Sequence, residues 1–389
     1  MTKLKKNNSS LRVAGLFAGI GGVELGMHMA GHSTELLCEI MEPAQEVLKH
    51  HFSGVPIHGD VRKLRSLPKI DVLAAGFPCQ DLSQAGRTAG IGGSQSGLVS
   101  EVFRLLKKSK PKWLLLENVP FMLQLERGEA MRYLTTILAE HGYNWAYRVV
   151  DSRAFGLPQR RQRVLLLASR TEDPRQVLFV DDAGHLDEPD RRKMPGEACG
   201  FYWTEGVRGL GWAVDAIPTL KGGSSVGIPS PPAIVLPSKE IVTPEIRDAE
   251  RLQGFVANWT RPAAPTNKRN GPRWKLVGNA VSVPVAKWVG QCLANPRQYG
   301  PLIDAPLKAG AKWPVAAWCM GGKIHQADVS KWPKRFKRKP LAEFLKHPPK
   351  PLSVRATAGF RNRTRKSSLR FPAGFLDAID AHLLHMEQQ

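Results

Sequence analysis

Residues 11–52 read LRVAGLFAGIGGVELGMHMAGHSTELLCEIMEPAQEVLKHHF, and their rhythm decides the fold. An apolar run at 12–17 predicts a strand, 22–30 a helix, 34–39 a second strand and 43–52 a second helix. The alternation continues with strands over 70–75 and 113–117, helices over 98–107 and 129–141, and strands near 145–150 and 164–168. Apolar strands separated by helices predict an α/β fold with a mostly parallel sheet covered by helices.

From about residue 171 this periodicity fails. Gly, Pro and acidic residues dominate through 241, with short strand-like pieces at 201–204 and 233–236, which predicts a small β-rich domain. Thr243-Pro244 reads as a cap followed by proline at the first helical position, opening a helix that Gly254 stops, and 281–293 reads as another helix. Beyond Pro296 the chain is rich in Pro and Lys until helical spacing returns over 374–386. Four segments follow: 11–170, 171–242, 243–296 and 297–389.

Composition narrows the partners. Hydrophobic residues make up 42% and charged ones 23%, a globular balance, and no apolar run reaches the roughly 18 residues of a membrane span. The basic start MTKLKKNNSS leads into a strand rather than an apolar leader, so a cytoplasmic protein is expected. Cys38, Cys79, Cys199, Cys292 and Cys319 contain no CxxC pair, which points to neither a metal site nor a disulfide framework. The formal charge of +22 suits a polyanion, nucleic acid first, and residues 301–389 supply half of it, with 17 basic against 6 acidic residues.

Four segments carry candidate chemistry. LFAGIGGVELGM, 16–27, runs from a strand through a glycine turn into a helix, where backbone can approach a ligand. A dinucleotide fingerprint would need a third glycine where Glu24 stands, so a nucleoside-type cofactor fits better than NAD. Glu39, at the end of the second strand, suits a ribose. GFPCQDLSQAG, 76–86, puts Cys79 at a carboxyl strand end, and WLLLENVP, 113–120, puts Glu117 and Asn118 at another, so a nucleophile and an acid/base could share one crevice. A small buried thiol and a capping carboxylate are the ordinary alternatives. GLPQRRQRV, 156–164, places Arg161 and Arg163 on one face of an extended chain.

FAGIGG, GFPCQDLS, ENV, QRRQR, RDAERLQGF and GNAV, in this order over residues 11–292, resemble the DNA (cytosine-5)-methyltransferases. The resemblance implies a Rossmann-like S-adenosylmethionine-dependent methyltransferase domain, a small β-rich target-recognition domain between QRRQR and RDAERLQGF, and a basic C-terminal extension outside the shared motifs. By position, Phe17, Gly19, Gly21, Glu39, Ile40, Asp60, Pro78 and Asn279 would bind S-adenosyl-L-methionine. Cys79 would be the nucleophile, Glu117 the acid engaging the cytosine N3 and exocyclic amine, and Arg163 the contact to the base oxygen, with Arg161 counted beside it as catalytic. Ser83 would lie on a loop closing over DNA, and Thr219, Lys221, Gly222 and Gly223 would face the target bases. Ile40 stands where the family often has an aromatic residue, and Gln95-Ser96-Gly97-Leu98 departs from its Arg-Ser/Gly-x-Leu stretch.

The expected activity is methylation of cytosine C5 in a short sequence of double-stranded DNA, in the nucleoid-associated cytoplasm and with no bound metal. A companion restriction endonuclease acting on the same site is a further candidate partner. A non-catalytic DNA-binding homologue and an RNA cytosine methyltransferase are the rival readings; intact Cys79, Glu117 and Arg163 oppose the first, and the long insert opposes the second.

Overall fold

The computed structural model describes residues 10–77, 97–188, 190, 192–223, 229–264, 271–300, 304–308 and 310–388. They form two compact units, residues 1–154, 162–185 and 281–335 in the first, and 155–161, 186–280 and 336–389 in the second.

In the first unit the opening stretch folds as its rhythm predicts: strand β1 (Arg12–Leu16), helix Gly22–Met29, β2 (Ser33–Cys38), helix Glu42–His51 and β3 (Ile57–His58). After β4 (Val72–Ala75) come helix Leu98–Ser109, β5 (Trp113–Asn118), helix Glu129–Glu140 and β6 (Asn144–Asp151). β1 lies between β2 and β4, and β5 follows β4, all in parallel register. The reversal of strand order beside β1 opens a crevice at the carboxyl ends, where sheets of this kind hold ligands. The parallel character stops at β5: strand Gln162–Ser169 runs antiparallel to both β5 and β6. β1, β4 and β5 are almost wholly buried, as expected of strands covered on both faces.

The expected segment boundaries need correction. Residues 297–389 do not form a separate extension, because strands Ala305–Pro306, Ala316–Met320 and Lys323–Gln326 continue the large sheet beyond β6, making ten strands. Wholly buried Arg148 on β6 fastens this region, donating to the carbonyls of Leu178 and Ser330 and pairing with Asp182 at 2.7 Å. Strands of two to five residues within Pro- and Lys-rich sequence carry too little alternation to be read.

In the second unit an antiparallel five-stranded sheet runs in the order Ala213–Val214, Cys199–Phe201, Ala233–Val235, Ile241–Thr243 and Lys350–Pro351. The β-rich character expected of 171–242 is therefore met, but one strand comes from the chain's last fifty residues. Residues 243–280 belong here as well: Ile246, Leu252 and Val277 pack in one core with Ile217, Ile234 and Leu341. Thr243 ends a strand, and the helix Ile246–Leu252 is capped by Glu245, whose carboxylate accepts from Arg247 N at 2.8 Å. Helices Val354–Arg365 and Phe375–Glu387 close the opposite core, where Phe360 and Phe375 meet Phe201.

Candidate active site

The antiparallel neighbour of β5 creates the first constellation. Pairing Asn118 with Val164 brings the carboxyl end of β5 beside the start of strand Gln162–Ser169. Glu117 Oε1 consequently lies 2.8 Å from Nε of Arg163, both side chains only slightly exposed, and Arg163 Nη1 donates to the Gln162 carbonyl at 2.7 Å. A fixed carboxylate–guanidinium pair at a ligand edge can present a hydrogen bond and a positive charge to a heterocycle. Asn118 Nδ2 donates to the Phe77 carbonyl at 3.1 Å, tying this strand end to the residue just ahead of Pro78-Cys79. Asn118 is a positioning residue to which the sequence reading gave no role, although its place beside Glu117 was visible. Pro78, Cys79 and Ser83 lie outside the described residues.

Arg161 and Arg163 do not share a face. A break between strands Gln159–Arg160 and Gln162–Ser169 interrupts the alternation at Arg161. Its buried guanidinium donates to the carbonyls of Leu220, Gly278 and Ala280 at 3.2, 3.2 and 2.6 Å, all within the second unit. This corrects the reading of Arg161 as a catalytic partner of Arg163, since those carbonyls already occupy it.

The glycine turn and the end of β2 make a second constellation. Phe17 (φ 56), Gly19 (φ 57) and Gly21 (φ 80) all take left-handed backbone, unusual for a phenylalanine and typical of functional turns. Gly21 is required twice, because a Cβ there would run into the Phe52 ring. A Cβ at Gly19 would meet nothing within 4 Å, so that face of the turn is open. Glu39 fixes the turn, accepting from Gly19 N and Met41 N at 2.8 Å each. Beneath it Glu24 is fully buried against Gly15, and desolvation, reinforced by Glu39, pushes its carboxyl up to about 7. Ile40 and Asp60 line a cleft of about 560 Å³ with Gln45, His58 and Lys63. Asp60 caps the turn Val61–Lys63 by accepting from Arg62 N, and its pairing with the Arg62 guanidinium, reinforced by that bond, holds its carboxyl below the usual range.

In the second unit, strand Ile217–Pro218 pairs with Gln159–Arg160 and delivers the candidate recognition segment. Thr219 Oγ1 donates to the Arg160 carbonyl at 2.9 Å, and Lys221 pairs with Glu205 while its Nζ lies 3.7 Å from the centre of the Tyr202 ring. Gly222 abuts Asn279 at the end of helix Gly271–Asn279, and Gly223 has φ 103. Buried Gln159 accepts from Leu220 N and donates to the Gln253 side chain, which in turn donates to the Val277 carbonyl. Neither glutamine stands out in the sequence, because a polar pair buried in apolar surroundings has no periodic signal.

Residues 11–195 match the family model of C-5 cytosine-specific DNA methylases. Across 384 residues, 95% of this chain and 97% of the relative, the sequence is 50% identical to the Type II methyltransferase M2.BsuMI of Bacillus subtilis strain 168. The chain belongs to the C-5 cytosine-specific DNA methylases. The Type II methyltransferase M.BanI of Aneurinibacillus aneurinilyticus is 36% identical over 49% of this chain and 45% of its own. Among solved structures, the Entamoeba histolytica methyltransferase EhMeth aligns with a TM-score of 0.52 at 17% identity, over 73% of this chain and 98% of that one. The Dnmt2 methyltransferase of S. pombe gives 0.51 at 16% identity over 73% and 97%. At such identities the likeness shows a common fold.

This methylase is therefore a DNA cytosine-5 methyltransferase that depends on S-adenosylmethionine. Its second constellation fits that donor. The cleft lies within the range of pockets that hold small cofactors, Ile40 is 63% exposed and offers an apolar face to a flat ring, and Glu42 and Asp60 put carboxylate acceptors, suited to hydroxyl and amine groups, in its wall. No helix among the described residues is long and apolar enough to cross a membrane.

Proposed function

We propose that this methylase modifies cytosine within a specific duplex sequence by nucleophilic catalysis from Cys79, with Glu117 and Arg163 acting on the extruded base. The observation that carries the reading is the Glu117–Arg163 pair at the carboxyl end of β5, linked through Asn118 to the strand end that precedes Cys79. Bound S-adenosylmethionine supplies an electrophilic methyl group. The Cys79 thiolate adds to C6 of the cytosine, while a proton shared between Glu117 and N3 takes up the charge pushed into the ring, leaving an enamine whose C5 is electron-rich. Arg163 holds Glu117 in place and brings its positive charge to the base oxygen. After C5 has accepted the methyl group, a water molecule takes the C5 proton, the C5–C6 double bond re-forms and the C6–S bond breaks to release the Cys79 thiolate. The base must leave the helix to be reached.

Phe17, Gly19, Gly21, Glu39, Ile40, Asp60 and Pro78 form the donor site in this reading. Thr219, Lys221, Gly222 and Gly223 read the target, Ser83 closes over the DNA, and the chain serves as the modification partner of a restriction endonuclease in the nucleoid. The test is covalent trapping: duplex DNA carrying 5-fluorocytosine at the mapped site forms a denaturation-resistant adduct with the wild type and none with Cys79→Ser. An active wild type that leaves no adduct would remove Cys79 from the mechanism. Bisulfite sequencing of a methylation-free host expressing the chain gives the site.

A further inference from the structure

Beyond Glu117 and Asn118 the chain makes two short turns, Pro120–Leu123 and Leu125–Gly128, before helix Glu129–Glu140. Met122 and Leu123 are buried in the main core. Phe121 is turned the other way and is 59% exposed, four residues past the catalytic carboxylate; Gln124 and Arg127 are exposed with it.

The backbone here is costly. Glu126 (φ 49, ψ 46), Arg127 (φ 56, ψ 28) and Gly128 (φ 92) are three successive left-handed residues, two of them carrying side chains that disfavour this conformation. Such strain persists where surrounding structure enforces it, and it gathers at functional sites. Trp313 does the enforcing: its Nε1 donates to the Gly128 carbonyl at 3.0 Å, and a Cβ at Gly128 would come within 3.0 Å of the indole. Trp313 is itself braced edge-on by Trp145 and Tyr147. Arg132 adds a bond to the Arg127 carbonyl at 3.2 Å and pairs with Glu129 at 3.0 Å. The Arg127 guanidinium makes no ion pair among the described residues.

We propose that this braced turn is a DNA-contacting element, Arg127 holding a backbone phosphate and Phe121 covering the apolar faces of bases left unstacked beside the extruded cytosine. The proposal rests on Glu117 acting at that cytosine. A duplex offers the charge complement to Arg127, and extrusion of a base exposes the kind of flat apolar surface that an outward phenylalanine can cover. The brace explains why strain is tolerated: it fixes both side chains relative to the end of β5.

The test compares wild type with Arg127→Ala, Arg127→Gly, Arg127→Lys and Phe121→Ala in duplex binding across a salt series, with donor binding and thermal midpoint measured in parallel. Arg127→Gly removes the side chain while relieving the backbone. Both Arg127→Ala and Arg127→Gly should lower the slope of log affinity against log salt by about 0.9, whereas Arg127→Lys retains it. Phe121→Ala should weaken duplex binding about 5- to 10-fold, the effect of removing one aromatic ring from a base face, without changing donor affinity. A wild-type slope in both Arg127→Ala and Arg127→Gly overturns the phosphate-binding role, and unchanged affinity in Phe121→Ala overturns the apolar one. A wild type that methylates no DNA would instead overturn the functional reading, so the two failures are distinguishable.

Discussion

Arg161 donates from Nη2 to the carbonyl of Ala280 at 2.6 Å, across 119 residues of chain. The same guanidinium serves Leu220 and Gly278, so one side chain of the QRRQR motif joins the recognition segment to the GNAV motif. Arg163, two residues on, pairs with Glu117 in the other unit. Two arginines that look equivalent in sequence thus have separate partners, one binding backbone carbonyls and one a carboxylate.

Their variants should separate accordingly. Arg161→Met leaves three buried carbonyls without their donor and should destabilise the protein by about 3 to 5 kcal/mol, read as a lowered denaturation midpoint. Arg163→Lys keeps a positive charge and should cost much less stability while reducing kcat at least about ten-fold, because an ammonium cannot reproduce the guanidinium's fork against Glu117. Similar midpoints for the two variants would contradict this division.

Glu24 gives a pH signature. Its folded carboxyl, raised to about 7 from an ordinary 4.5, favours the protonated form, so the folded state binds the extra proton between those values. Stability is unaffected below the unfolded value, falls as pH rises from 4.5 towards 7, and levels off above it. Glu24→Gln removes the titration and should gain on the wild type by up to about 3 kcal/mol between pH 4.5 and 8. Urea midpoints at about pH 5 and about pH 8, either side of the folded value, measure this, and parallel pH curves would show that the carboxyl does not titrate there.

At the proposed donor site, Glu39→Ala removes the acceptor that holds both Gly19 N and Met41 N. S-adenosylmethionine affinity, measured by calorimetry, should fall about 10- to 100-fold, the equivalent of losing roughly 1.5 to 3 kcal/mol of charge-assisted hydrogen bonding. Glu39→Gln retains an acceptor and should fall between the two. Equal affinity in all three would place the ribose contact elsewhere.

The basic C-terminal region is best tested by substitution, because truncation after Pro296 would strip three strands from the large sheet and Phe360 and Phe375 from a core, and should yield unfolded protein. Over 354–370 the chain has six basic and no acidic residues. Arg361 pairs with Asp380, and Arg363 donates to the carbonyls of Trp203 and Glu205, while Arg355, Arg365, Lys366 and Arg370 are exposed. Replacing these four with glutamine should preserve the thermal midpoint and leave site preference intact, while the salt slope of duplex binding falls by about 0.9 for each phosphate no longer neutralised. An unchanged slope would make this face a solvated one.

The sequence by itself determined the βαβ core, the glycine turn, the placing of Glu39 and Glu117 at strand ends and the order of the six motifs. Those features are local: a strand or an amphipathic helix declares itself in periodicity, and glycine marks backbone that other residues cannot follow. Only the tertiary structure decided that strand Gln162–Ser169 runs antiparallel to β5, which sets Arg163 against Glu117 and leaves Arg161 to bind distant carbonyls. It also decided that the basic C-terminal region builds both units, since Trp313 braces the turn after Glu117 and Phe360 enters a core. These outcomes depend on pairing between segments far apart in the chain, and neither spacing nor composition records a partner one or two hundred residues away.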